Sequence, residues 1–281
     1  MILIADSGST KCDWALIDET RDTRVATEGI NPFFCDAKRM ESIIGGKLLK
    51  KIDATDVNKV LFFGAGCRDD KKQLVHDSLS TYFPGSDVEA STDLEAAAIA
   101  LYGSRSGIAA ILGTGSIACM YDGKSVVRSI APLGYILGDE GSGAVLGKKF
   151  LGDCFKNQVP PKLQQRFFKK YPMTVAELID RVYRQPQANT FMASFVPFLA
   201  ANIAEAYVYN LVFDSFVEFF ERNIMQCTDS REYEVSFCGS VAYHFADILE
   251  VVTYEMGYNF GHIQKAPLDG LVKYFRQTNY K

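Results

Sequence analysis

Residues 2–18 read ILIADSGSTKCDWALID. An apolar run ends at Asp6, a polar turn Ser7-Gly8-Ser9-Thr10-Lys11 comes next, and a second apolar run begins at once. The pattern predicts strands over 2–6 and 12–17, with a carboxylate, hydroxyls and a lysine at the tip of their hairpin. A turn at 19–23 and a third strand at 24–28 continue it.

The same order returns at 107–132, GIAAILGTGSIACMYDGKSVVRSIAP. It reads strand, glycine turn, strand, Asp122-Gly123 turn, strand. Aligning Ser7-Gly8-Ser9 with Thr114-Gly115-Ser116 sets Gly113 against Asp6. An internal duplication with a polar turn in each half predicts two similar domains.

Between the copies, Asp36 to Ile52 has helical periodicity, with Met40, Ile43, Ile44 and Leu48 on one side. Residues 60–63 form a buried strand ending at Gly64-Ala65-Gly66. Asp69 to Phe83 reads as a helix and 88–90 as a strand. Thr92 and Glu95 have capping-box spacing, which starts a helix with Asp93 in its first turn. After residue 139 the chain turns mostly helical. Thr174 and Glu177 repeat the capping box, and apolar helices fill 187–226 with a break near Pro197. Residues 233–245, YEVSFCGSVAYHF, carry a strand that ends at Gly239 before a helix, and Pro267 opens a last helix. Alternating strands and helices place the chain in the α/β class.

The 281 residues are 48% hydrophobic and 23% charged, as in a globular protein with a real core. A net charge of −4 gives no electrostatic reason for nucleic acid or an acidic membrane as partner. No apolar run is long enough to span a bilayer, and no signal peptide is read. Seven scattered cysteines without a C-x-x-C predict reduced, mostly buried thiols in a cytoplasmic protein. The three histidines suggest no metal cluster.

Asp6 suits a Mg²⁺ site, where one or two carboxylates hold a hydrated ion beside phosphates. Ser9, Thr10 and Lys11 can donate to phosphate oxygens, although Asp6 and Ser7 also suit a simple Asx turn. Gly113-x-Gly115-x-x-Ala118 matches a loose dinucleotide pattern, but the residues after the glycines are β-prone rather than helical, so a phosphate-contacting hairpin turn is the better reading. Asp93 lies where the helix dipole favours an ionised carboxylate, as proton abstraction from a sugar hydroxyl requires, though Asp is common in any first turn. Residues 134–147, GYILGDEGSGAVLG, place five glycines around Asp139-Glu140, which suits close approach of backbone to a ligand. Gly239 stands at a strand end where a flat ring can rest on backbone, or where a plain turn is needed.

These stretches, in this order, resemble the BadF/BadG-type ATPase family of the actin/hexokinase/Hsp70 superfamily, in particular its N-acetylglucosamine kinase branch. DSGSTKCDWAL is similar to the family's first phosphate hairpin and LGTGS to its second. TDLEAAAIALYG is similar to the segment carrying the general base, GYILGDEGSGAVLG to the G-D-E-G-S-G block, and FCGSVA to the adenosine loop. The resemblance implies two ribonuclease-H-like (actin-like ATPase) domains, with mixed sheets flanked by helices and an interdomain cleft holding ATP. The expected boundaries are 1–103 plus 266–281 for the first domain and 104–265, with a helical insertion, for the second.

The resemblance also implies roles. Asp6 approaches Mg²⁺. Ser9, Thr10 and Lys11 meet the β/γ phosphates together with Gly113, Thr114, Gly115 and Ser116. Asp93 deprotonates the sugar hydroxyl. Asn31, Gly134 and Asp139 bind the sugar, and Gly239, Ser240 and Val241 flank adenosine. The implied activity is ATP-dependent phosphorylation of an amino sugar, N-acetylglucosamine at its 6-hydroxyl or glucosamine. A dehydratase-activating ATPase and a non-catalytic sugar sensor are the alternatives. Leu133 stands where the family has a tryptophan, and GAGC at 64–67 where it has a serine-containing loop; both touch the sugar side. The expected partner is a small-molecule amino sugar, with no nucleic acid and no membrane. The apolar helices around 195–220 suit core, the preferred reading, or a homodimer interface.

Overall fold

Each of the two hairpins grows into a five-stranded mixed sheet in the computed structural model, which describes residues 1–68 and 70–279. The first sheet contains β1 (Ile2–Ser7), β2 (Lys11–Ile17), β3 (Asp22–Glu28), β4 (Lys59–Gly64) and β5 (Asp87–Thr92), in the order β3-β2-β1-β4-β5. The second contains β6 (Gly107–Leu112), β7 (Ser116–Tyr121), β8 (Val126–Ser129), β9 (Glu234–Cys238) and β10 (Asn259–Gln264), in the order β10-β9-β6-β7-β8. In each, three antiparallel strands are extended by two parallel ones. The duplication read from the turns is therefore a duplication of topology. This is the actin-like α/β architecture.

The strand ends correct the alignment of the two turns. β1 and β6 share one burial pattern, in which only the fifth residue is partly exposed; that residue is Asp6 in β1 and Ile111 in β6. The first residue beyond the paired strand is Gly8 in one copy and Gly113 in the other. Gly113 thus corresponds to Gly8, and Ile111 to Asp6.

The chain divides into two compact units: Met1–Arg105 with Gly123–Ser125 and Ala266–Lys281, and Ser106–Asp122 with Val126–Lys265. In the first, β1 is a central strand, so its apolar run alternates with nothing; Leu3, Ile4 and Ala5 are wholly buried. Trp14 packs against Phe62 at 6.2 Å between ring centroids. The helices are α1 (Ala37–Ile43), α2 (Asp70–Tyr82) and α3 (Asp93–Tyr102), and the C-terminal helix Leu268–Asn279 packs on α3, β1 and β2. Asp69, Tyr280 and Lys281, expected in helices, lie outside the described residues. The helix expected over 36–52 ends early. It passes into a π-helical turn at Ile44–Leu48, where the Tyr82 ring lies against Gly45 and two glycines weaken the α-helix.

The second unit adds α4 (Gly134–Leu137), α5 (Gly143–Phe155), α6 (Pro161–Lys170), α7 (Val175–Tyr183), α8 (Ala188–Ala193), α9 (Val196–Ala201), α10 (Ala206–Arg222), α11 (Ser240–His244) and α12 (Ala246–Glu255). The Thr174–Glu177 capping box at α7 is complete. Phe195, Phe198, Phe216, Phe219 and Phe220 are all buried, so the apolar stretch around 195–220 builds core. Phe150 and Phe167 meet edge-on at 5.0 Å within it. Strand β10 was not legible because Gly261 interrupts its alternation, and its pairing shifts register between Phe260 and Ile263. All seven cysteines are buried. No helix among the described residues is long and apolar enough to cross a membrane.

Candidate functional site

In the first unit, Asp6, the hairpin tip, Asn31 and Asp93 come together. Gly8 N–H donates to Lys11 O at 2.9 Å and closes the turn, leaving Gly8, Ser9, Thr10 and Lys11 exposed. Below the tip, buried Ser7 Oγ accepts from Ile30 N–H at 2.8 Å, which fastens the adjoining loop to the hairpin. Gly29 passes so close that an added Cβ would lie 2.2 Å from Gly8 O, so a side chain there would push the tip away. Asn31, buried beneath, donates from Nδ2 to Ser9 Oγ at 2.8 Å.

Asp6 faces Asp13 across the β1–β2 ladder, and Lys11 pairs with Asp13 at 2.7 Å. Burial, with the nearby charges of Asp93 and Asp13, raises the Asp6 pKa to about 7, against the smaller opposing pull of Lys11. A carboxylate so placed gains from an arriving cation. Among the described residues no group of three or more His, Cys, Asp or Glu could hold a metal ion by itself. Asp6 with hydroxyl-bearing neighbours fits the Mg²⁺ pattern instead, in which water and phosphate oxygens supply the remaining ligands.

Asp93 begins α3. Thr92 caps the helix by accepting from Glu95 N–H at 3.1 Å, while the Glu95 carboxylate takes the Ser91 hydroxyl instead of closing a capping box. Leu94 N–H donates to Asp93 Oδ1 at 3.0 Å. The expectation that the helix start favours the charged form is corrected in balance. Burial raises the Asp93 pKa, outweighing the hydrogen bonds from Leu94 and its own amide and the charge of Arg68. A carboxylate with a raised pKa is a better proton acceptor than an ordinary one.

In the second unit, the Gly113–Ser116 turn, Asp139 and Gly239–Val241 come together. Gly113 O and Thr114 O accept from the N–H groups of Gly143 and Ala144 at 2.8 and 3.1 Å, docking α5 on the turn. Ser142 caps α5 through Val145 N–H at 3.2 Å. Ser116 Oγ donates to Glu140 O at 2.7 Å. The turn leads into β7, a strand, as the hairpin reading requires.

Asp139 holds a left-handed φ of 58°. Its carboxyl pKa is raised by burial and by Glu140, against the Ser116 N–H that donates to it and the charge of Lys148. The carboxylate lies on the turn itself: a Cβ added to Gly115 would stand 3.1 Å from Asp139 Oδ2. Glu140, given no role of its own in the sequence reading, anchors this loop. Its carboxylate accepts from Arg222 Nε and from Asn223 Nδ2, the latter at 3.2 Å. Gly134 is exposed at the start of α4. A small cavity of about 50 Å³ lies against Ser116, Leu133, Leu137, Asp139 and Glu140.

Gly239 has φ 122°, and an added Cβ would lie 2.3 Å from Leu112 O and 3.3 Å from Gly113 N. The strand-end glycine thus sits against the base of the second turn. Ser240 is exposed, Val241 is buried, and Tyr243 N–H donates to Gly239 O at 3.0 Å.

No protein-family model and no curated protein matches the chain. Among solved structures, a candidate N-acetylglucosamine kinase of Porphyromonas gingivalis is 40% identical, with 100% of both chains covered and a TM-score of 0.95. A candidate N-acetylglucosamine kinase of Chromobacterium violaceum is 17% identical, with 97% of this chain and 98% of that one covered and a TM-score of 0.73. A ROK-family glucokinase of Streptomyces griseus, solved with glucose and AMPPNP, is 18% identical, with 97% of each chain covered and a TM-score of 0.53. The latter two likenesses speak to the fold.

Proposed function

This chain belongs to the N-acetylglucosamine kinase-like family of the Porphyromonas gingivalis protein, and from that membership we propose that it is an ATP-dependent kinase of an amino sugar. The substrate is N-acetylglucosamine, phosphorylated at its 6-hydroxyl, or glucosamine. The observation that carries this reading is the convergence of Asp6, Ser9, Asn31 and Asp93 within one unit.

Phosphoryl transfer asks the protein for positioning and for compensation of charge rather than for covalent chemistry. The exposed tip Ser9, Thr10 and Lys11 offers donors to the β/γ phosphates. Gly113, Thr114, Gly115 and Ser116 form the second phosphate turn, and Gly239, Ser240 and Val241 the adenosine shelf. Mg²⁺, when bound, neutralises phosphate charge, and Asp6 would hold it directly or through water. Asp93 takes the proton of the sugar hydroxyl. Asn31 and Asp139 orient the sugar.

The experiment is ADP release with Mg·ATP against N-acetylglucosamine, glucosamine, N-acetylmannosamine and glucose, with Asp93→Asn beside the native protein. Stimulation by one amino sugar, lost in the variant, is the expected result. ATP binding without stimulation by any sugar would instead favour the sensor reading.

A further inference from the structure

One short element of the second unit is held by charge more than by packing. No residue of α4 is buried, and of its residues only Tyr135 packs partly on the core. Leu133, Ile136 and Leu137 are 57%, 72% and 67% exposed. Gly138 N–H donates to Gly134 O at 2.8 Å and closes the turn. Two further carbonyls are taken by cations from other helices. Lys148 Nζ of α5 donates to Tyr135 O at 2.8 Å, and Arg222 Nη2 of α10 reaches Leu137 O at 3.5 Å. The same guanidinium holds the Glu140 carboxylate through Nε.

We propose that Lys148 and Arg222 are positioning residues that clamp α4 as the wall beside Asp139, and so set how tightly the sugar is held. This rests on the kinase reading, in which Asp139 orients the sugar, and it names two further residues for that site without placing either on the reacting atoms.

A single helical turn is unstable alone, because closing it fixes several dihedrals for one hydrogen bond. Packing normally supplies the difference, and α4 buries too little for that. The last carbonyls of a helix lack intrahelical partners and carry partial negative charge, so cations are favoured there. Lys148 and Arg222 supply both the donors and the charge, from two different helices. Each is itself anchored. The Glu140 side chain that Arg222 holds is only 12% exposed, and it takes a second bond from buried Asn223 at 3.2 Å. Lys148 stands on α5, whose first turn is docked on Gly113 and Thr114. Leu133 and Leu137 line the same small cavity as Ser116, Asp139 and Arg222. A shift of α4 therefore moves the wall that a sugar held by Asp139 would meet.

The test uses Lys148→Met, Lys148→Arg, Arg222→Gln and the Lys148→Met/Arg222→Gln double variant, with thermal melts to confirm folding. Chymotrypsin cleavage within residues 133–137, mapped by mass spectrometry, reads release of α4 directly. It should be on the order of 10-fold faster in Lys148→Met and Arg222→Gln, and near native in Lys148→Arg. Kinetics of ADP release, with N-acetylglucosamine or glucosamine varied, should show the sugar KM raised on the order of 10-fold in either single variant, and kcat and the ATP KM changed much less. Lys148 also faces Asp139, and Arg222 also holds Glu140, so the double variant separates the clamp from those contacts. If both act through α4, loss of one leaves little for the other to hold, and the sugar KM of the double variant stays close to that of the worse single variant. Effects that multiply would overturn the proposal, since each cation would then act through its own neighbour. So would native cleavage rates in both single variants, or a lowered kcat with an unchanged sugar KM. If no sugar stimulates ADP release, the kinase reading falls. Cleavage then still decides the clamp, since equal rates in the native protein and the variants overturn it.

Discussion

Asn31 Nδ2 donates to Ser9 Oγ at 2.8 Å, which couples a candidate sugar ligand to the tip of the candidate phosphate hairpin. The bond is short and Asn31 is buried, so the position of one group constrains the other. Phosphoryl transfer depends on such mutual placement, because small misalignments of donor and acceptor are costly in rate.

Removing that coupling tests it. Asn31→Ala leaves Ser9 Oγ and Phe33 N–H without their partner and is expected to raise the sugar KM on the order of 10-fold or more. The ATP KM should rise less. Steady-state kinetics with each substrate varied in turn checks this, and an unchanged sugar KM would remove Asn31 from the sugar site.

Asp93→Asn keeps the shape of the side chain and removes the proton acceptor. Sugar-dependent turnover should fall by roughly 10²- to 10⁴-fold. Binding of an ATP analogue, read by calorimetry, should persist. Because burial raises the Asp93 pKa, the native enzyme should lose kcat/KM on acidification at a pH above the ordinary carboxylate value of about 4. A profile flat down to pH 5 with full activity in the variant would exclude Asp93 as the base.

Asp6 links metal, pH and stability. Its folded pKa, about 7, is raised above the unfolded value, so its neutral form suits the fold. The stability it contributes without metal is full below the unfolded pKa of about 4 and is lost as the pH rises towards the folded value. In EDTA, Asp6→Asn should therefore melt higher than the native protein at pH 8, with the difference vanishing near pH 4. Mg²⁺ should restore stability at pH 8 to the native protein and not to the variant, which should be inactive. A variant that melts lower than the native protein at pH 8 in EDTA would contradict this account.

Gly239→Ala brings a Cβ to 2.3 Å from Leu112 O at a φ of 122°, a conformation that L side chains rarely adopt. The strand end must shift, and the neighbouring Gly113 turn with it. Loss of ATP-analogue affinity is expected together with a lower melting temperature. Gly152→Ala, on open helix surface, is the control and should leave both unchanged or raise the melting temperature. Native-like nucleotide affinity in Gly239→Ala would free Gly239 from the adenosine shelf.

Strands were legible where local rules agree with the fold. β1, β2, β6 and β7 carry apolar runs broken by small polar turns, and those turns have their own backbone chemistry. The N-cap at Thr92, the full box at Thr174–Glu177 and the turn at Gly239 were equally readable, because each is set by residues within a few positions of one another. The π-helical turn at Ile44–Leu48 and the bulged β10 were not, since Tyr82 and Ser236 shape them from distant positions.

By itself the sequence determined the α/β class, the repeated hairpin, and the residue types offered at each turn. Those come from periodicity, capping and turn preference, which act over a few residues. Only the tertiary structure decided that Gly113 corresponds to Gly8 and not to Asp6, because strand register is set by cross-strand hydrogen bonds. It alone placed Asp139 on the second turn, with Glu140, Arg222 and Asn223 holding the loop behind it. It alone reversed the expected balance at Asp93, since burial is a property of the packed chain and not of a helix start. It alone set the Arg68 guanidinium over the ring of Phe33, 35 residues earlier, because only packing brings the two loops together.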